Sequence, residues 1–163
     1  MNLLYYGDNL HFLRDGLAPE SVDLIDLDPP FNSKRDYNLL FPSPKGHKSE
    51  AQIEAFKDSW HWGRQAEEEF DEVLRQPNTD VAEMMRALRG FLGMNDLMAY
   101  LTTMANRLLA MHRALKPTGS LYLHCDETAS HYLKIVLDAV FGKLMYRNEI
   151  VWKRTTTHSD SQT

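Results

Sequence analysis

Apolar positions along the chain fall into two kinds of period. Short continuous runs bounded by turn formers alternate with one long three-four repeat, as when strands alternate with helices. Leu3-Leu4-Tyr5-Tyr6, closed by Gly7-Asp8, predicts a strand and a turn. Asn9 is placed to cap a short helix carrying Leu10, Phe12 and Leu13 and ending near Gly16. Val22 to Leu27 predicts a second strand. Its Val22, Leu24, Ile25 and Leu27 are too continuous for a half-exposed edge and suit a parallel sheet buried on both faces. Pro29-Pro30 stops it, because proline cannot donate to the ladder.

Further along, Pro42, Pro44, Gly46, Pro77, Gly90 and Gly93 break residues 42–94 into short helical stretches, an elaborated loop or helical insertion rather than a domain. No internal repeat is present. From Asn95 the helical period is clear: Leu97, Leu101, Met104, Leu108, Met111 and Leu115 share one face. Asn95 or Asp96 caps its start, and Lys116-Pro117-Thr118-Gly119 ends it. Ser120 to Cys125 predicts a third buried strand, followed by a helix capped by Asp126 or Thr128. That helix turns Leu133, Val136, Leu137 and Val140 inward and ends at Gly142. Glu149 to Lys153 predicts a last strand, and Thr155 to Thr163 a frayed polar tail. Strands alternating with helices define an α/β class with a parallel sheet. Ligands of such sheets bind at the carboxyl ends of the strands, which is where the pattern puts Asp8, Asp28 and Asp126.

Composition changes this picture little. The 163 residues fit one domain, and 43% hydrophobic with 25% charged residues is ordinary for a globular fold. No apolar run reaches the roughly 20 residues a bilayer span needs, and the N-terminus has no signal-peptide pattern. Cys125, alone and read as a core residue, fits a reducing cytoplasm. The net charge of −5 argues weakly against nucleic acid as a partner. Much of it is local, however: nine carboxylates against three basic residues between Glu54 and Glu83, which predict a solvated acidic face. The histidines are scattered, with only His124 near a strand end, and no metal site is expected.

The candidate chemistry sits in Asp28-Pro29-Pro30-Phe31. A residue before proline is pushed to an extended conformation, which stiffens Asp28 and Pro29. Neither proline has an amide hydrogen, so the backbone there offers acceptors without competing donors. The turn thus presents a carboxylate, a carbonyl and an aromatic ring together. A planar group bearing an amino substituent could donate both hydrogens, to Asp28 and to the Pro29 carbonyl, while stacking on Phe31. Held so, its lone pair leaves conjugation and points at an electrophile. Taken alone, the tetrapeptide equally fits a proline turn with an incidental aromatic.

Two longer stretches carry more. Leu4-Tyr5-Tyr6-Gly7-Asp8-Asn9 with Ser21 to Ser33, and Ala99-Tyr100-Leu101 through Arg107-Leu108 and Leu115 to Asp126, resemble the β-type DNA amino-methyltransferases. The resemblance covers most of the chain and is weakest over 42–94. It implies an S-adenosylmethionine-dependent methyltransferase fold of Rossmann-like type, incomplete, with the catalytic half of the parallel sheet and its flanking helices. Residues 1–154 would be the catalytic portion and 155–163 the start of the target-recognition region. The implied activity is methyl transfer from S-adenosylmethionine to an exocyclic amino group in duplex DNA with base flipping.

By the same resemblance Asp28, Pro29, Pro30 and Phe31 are catalytic, Asp8 and Asp28 face the cofactor, and Asp126 with Asn32 line the target pocket. Lys34, Arg35, Lys153 and Arg154 are placed to meet DNA phosphates. Implied partners are duplex DNA, a restriction subunit and a second copy of the full-length enzyme. An aspartate at position 28, where the cytosine-specific subgroup more often shows serine, favours adenine. The family's Phe-x-Gly-x-Gly cofactor loop is absent, so the chain is expected to be an inactive N-terminal fragment. Asp26, two residues before Asp28, has no role in this reading and, as a buried aspartate, would need a partner. It keeps a second reading open, with Asp26 and Asp28 as a metal-binding pair for phosphoryl transfer; a non-catalytic remnant is a third.

Overall fold

The computed structural model describes residues 2–30, 35–39, 53–58 and 60–152. Within them it is a mixed helix and strand fold whose centre is a helix rather than a sheet. Helix α1, Asn9–His11, runs directly into a π-turn over Phe12–Gly16. Strand β1 covers Val22–Leu27, and β2, Arg35–Leu39, pairs antiparallel with β3, Ile53–Asp58. Three helices follow: α2 over Arg64–Leu74, α3 over Thr79–Leu92 and α4 over Asp96–Ala114. Strand β4, Leu115–Leu123, and helix α5, Ser130–Phe141, complete the elements that build the core, with a 3-10 turn at Lys143–Met145.

Helix α4 is the spine. Asn95 caps it by accepting a hydrogen bond from the Met98 amide at 2.9 Å. Leu101, Met104, Leu108 and Met111 of the expected face are buried, but so is nearly every residue from Met98 to Asn106. The reason is that α2, α3 and α5 all pack around it. The polar residues caught there are satisfied: Thr102 donates to the Met98 carbonyl, Thr103 to Glu69, and Asn106 to the Glu69 carbonyl. A buried polar group left unpaired would cost about 1–3 kcal/mol.

The segment 42–94, expected to hold short helical stretches with a solvated acidic face, carries two helices that are built into the core. Helices α2 and α3 bury Phe70, Val73, Val81, Met85 and Leu88. Glu72 pairs with Arg14, Glu67 with Arg89, and Glu69 holds Thr103. Part of the acidic run is thus structural rather than solvated.

Strands β1 and β4 pair in parallel, with Ile25 opposite Leu121 and Leu27 opposite Leu123. These four face the helices and pack partly buried against the core. The other face, with Leu24, Asp26, Tyr122 and His124, is exposed. The expectation of a strand buried on both faces is corrected here, because among the described residues helices cover this ladder on one face only. Asp26 is likewise exposed rather than buried, so it bears no desolvation cost and needs no partner. Pairing slips between Val22 and Leu24, where Lys116-Pro117-Thr118-Gly119 bulges out instead of simply ending α4. Gly119 is required there: a Cβ would come within 2.7 Å of the Leu115 side chain and 3.0 Å of the Lys116 carbonyl.

Leu3–Tyr6 and residues 149–152 form no strand, against expectation. Leu4 is 98% and Trp152 87% exposed, although the Tyr5 ring lies against Phe12 with centroids 4.1 Å apart. Cys125 is exposed rather than core, since β4 ends at Leu123 before the sulfur can turn inward.

A candidate active site at the carboxyl end of the parallel pair

The two long strands deliver their carboxyl ends side by side. The last paired residues are Leu27 and Leu123, and the His124 amide extends the ladder by donating to the Leu27 carbonyl at 2.8 Å. Asp28 leaves β1 at this level with an exposed carboxylate. Pro29 behind it is buried and Pro30 half-buried, so the turn is anchored by its rings while the acid faces out. Phe31, Asn32 and Lys34 lie outside the described residues, as do Lys153 and Arg154. Arg35 opens β2, and only its backbone is described.

On the β4 side the chain passes through His124 and Cys125 to Asp126. Asp126 Oδ1 accepts from the Ala129 amide at 3.1 Å, and its carbonyl accepts from the Ser130 amide at 3.1 Å. It therefore caps the turn before α5, whose own N-cap is Ala129. Partial burial of the Cys125 thiol, then the neighbouring Asp126 and Glu149 carboxylates, push it above the ordinary cysteine range.

Asp8 is positioned differently from Asp28 and Asp126. It ends no strand; it is the N-cap of α1, the place expected for Asn9, and accepts from the Leu10 amide at 2.9 Å. Arg107 on α4 reaches across to it with Nη2 at 2.7 Å from Asp8 Oδ1, and Nε donates to Asn9 Oδ1 at 2.9 Å. Partial burial opposes ionisation of Asp8, but the Leu10 amide and the Arg107 guanidinium outweigh it and hold the carboxyl below the ordinary aspartate range. Six residues on, Arg113 donates to the carbonyls of Leu13, Arg14 and Leu17. Two arginines thus fasten residues 8–17 to the spine. Arg107 lies inside the motif stretch without an assigned role there; its signal is a cation midway along a helix that buries most of its length.

The structure brings Asp28, His124 and Asp126 together at one sheet end and anchors Asp8 separately through Arg107. Among the described residues no group of three His, Cys, Asp or Glu side chains converges as a metal site would.

Residues 22–163 match the family model described as DNA methylase, and the chain belongs to that family. Among curated proteins it is 26% identical over 155 residues to the Mod subunit of the type III restriction-modification enzyme StyLTI of Salmonella typhimurium, covering 94% of this chain and 20% of that protein. It is 25% identical over 162 residues to the EcoP15I Mod subunit of Escherichia coli, covering 98% of this chain and 22% of that protein. The chain spans about a fifth of the length of these relatives.

Proposed function

We propose that this chain carries the base-binding part of a DNA adenine amino-methyltransferase, the modification subunit of a restriction-modification system. The observation that supports it most is Asp28-Pro29-Pro30 set at the carboxyl end of a parallel strand pair in a member of the DNA methylase family. The fold we infer for the whole catalytic domain is Rossmann-like, the parallel pair being part of its sheet. Duplex DNA is the substrate, and a restriction subunit and a second copy of the enzyme are the partners.

The work falls to this chain's own side chains. A flipped adenine donates its two amino hydrogens to Asp28 and to the Pro29 carbonyl, which turns the nitrogen lone pair out of the ring system. Phe31 stacks on the base; such stacking is worth roughly 1–3 kcal/mol, comparable to the few kcal/mol that flipping costs. Asn32 and Asp126 border the pocket, and Lys34, Arg35, Lys153 and Arg154 meet phosphates. The acid-rich donor set fits S-adenosylmethionine, whose adenosyl hydroxyls and amino group donate hydrogen bonds and whose sulfonium is positive. Asp8 and Asp28 would hold it, and when bound it supplies the electrophilic methyl group. Orientation rather than covalent catalysis is the protein's contribution.

Methyl incorporation into DNA by the full-length protein, with the product nucleoside identified, tests this. N6-methyladenine is the expected product; N4-methylcytosine, or none, overturns the reading. Asp28→Ala should lower turnover at least tenfold, the equivalent of about 1.36 kcal/mol of transition-state stabilisation.

A further inference from the structure

The ladder that ends at Leu27 and Leu123 fixes which side chains share the open face beyond it. Successive residues of a strand point to opposite faces, and neighbouring strands lie about 4.8 Å apart. Ile25, Leu27, Leu121 and Leu123 face the helices, so Asp26 and Tyr122, which are paired, face away, and so do Asp28 and His124 one step on. The His124 amide bond to the Leu27 carbonyl holds the two chains at that level. An exposed imidazole therefore stands beside the carboxylate assigned to the target amino group.

We propose that His124 is a catalytic residue that takes up the proton shed by the amino nitrogen during methyl transfer. This rests on the methyltransferase reading above. The nitrogen lone pair forms the N–C bond as the C–S bond of the sulfonium methyl donor breaks, and the sulfur keeps that electron pair. The nitrogen now carries one hydrogen too many. Its N–H bond electrons return to the nitrogen as the proton passes to the imidazole, directly or through one water, and the imidazolium later releases it to solvent. Of the two side chains an imidazole is the stronger base and so the better proton acceptor. An imidazole left neutral above its ionisation range is suited to the task. Among the described residues Asp28 and Asp26 stand across the ladder from His124, Cys125 and Asp126 follow it in the chain, and Glu149 lies near Cys125.

The test is single-turnover methylation of DNA by the full-length protein across pH 5.5 to 8.5, with His124→Gln and His124→Asn. The substituted side chain is exposed and the bond to Leu27 is made by the backbone, so both variants keep the ladder. Unsubstituted protein should show an acid limb, losing rate toward the acid end of that range, as a base that must be neutral to accept a proton requires. Both variants should be about 100-fold slower at pH 7.5 and lack that limb, with cofactor affinity by calorimetry unchanged. A merely structural role would lower the rate evenly and leave the limb in place, and that result overturns the proposal. So does a variant as fast as the unsubstituted protein. If the unsubstituted protein transfers no methyl group at all, the methyltransferase reading fails and takes this inference with it.

Discussion

Asp8 shows how one carboxylate can serve two structural ends at once. It caps α1 and it pairs with Arg107, and these roles separate by substitution. Asp8→Asn keeps an acceptor for the Leu10 amide and loses the charge, whereas Asp8→Ala loses both. Alanine should therefore cost about 0.5–2 kcal/mol for the cap and asparagine less, because the ion pair is partly exposed and screened. The pH dependence has a definite sign. A folded-state value held below the unfolded one stabilises the protein above the ordinary aspartate range, near pH 4, and that contribution is lost as pH falls below it through the lowered value. Urea unfolding at pH 3 and pH 6 should show a smaller difference for Asp8→Asn than for the unsubstituted chain; an equal difference would remove Arg107 as a charge partner. The position of Asp28 at the end of β1 was legible from its proline context, since proline cannot continue the ladder. His124 was not, because its relation to Asp28 exists only once β1 and β4 are in register.

Among the elements, α4 was the easiest to read and α2 and α3 the hardest. The three-four repeat from Leu97 to Met111 states one face of α4 directly. It cannot state that α2 and α3 would cover the remaining circumference, because their own apolar residues are sparse and interleaved with carboxylates. Those carboxylates turned out to be partners for Arg14, Arg89 and Thr103. The strand expectations at Leu3–Tyr6 and after Glu149 failed for a different reason: a run of apolar residues becomes a strand only beside another edge. Arg113 is the element-scale residue to test. Its guanidinium satisfies three carbonyls at the end of the π-turn, and hydrogen bonds to charged groups contribute about 1.5–3 kcal/mol. Arg113→Ala should lower stability by 2 kcal/mol or more on that scale, and Arg113→Lys should recover only part. Full recovery by lysine, read from denaturant midpoints, would show that charge alone holds the turn.

Among the described residues, a helical core contrasts with several large apolar side chains left in solvent. Leu3 to Tyr6, Leu24, Tyr122 and Ile150 to Trp152 leave large apolar side chains exposed, well beyond the scattered single residues usual for a monomer's surface. The 163-residue chain on its own should self-associate, and light scattering at increasing concentration should show it. Leu24→Lys combined with Trp152→Lys should suppress the effect without lowering helicity. A strictly monomeric unsubstituted chain would mean that these side chains fold back on themselves.

The pairing of β1 with β4 also has a history in time. Val22 leaves the ribosome long before Leu115, its ladder partner. At roughly 5–20 residues per second, β1 waits on the order of ten seconds for β4 to be made. A β-prone segment left unpaired that long is at risk of pairing with another nascent copy. Asp23 and Asp26 interrupt its apolar run, and Pro29-Pro30 closes one end. An acid with no packing role in the finished fold thus acquires one in its synthesis, as a charge that keeps waiting strands apart. Asp26→Val, mild for the mature protein, should raise the insoluble fraction in cell-free translation. Release of a pre-made β4 segment into the reaction should lower it again.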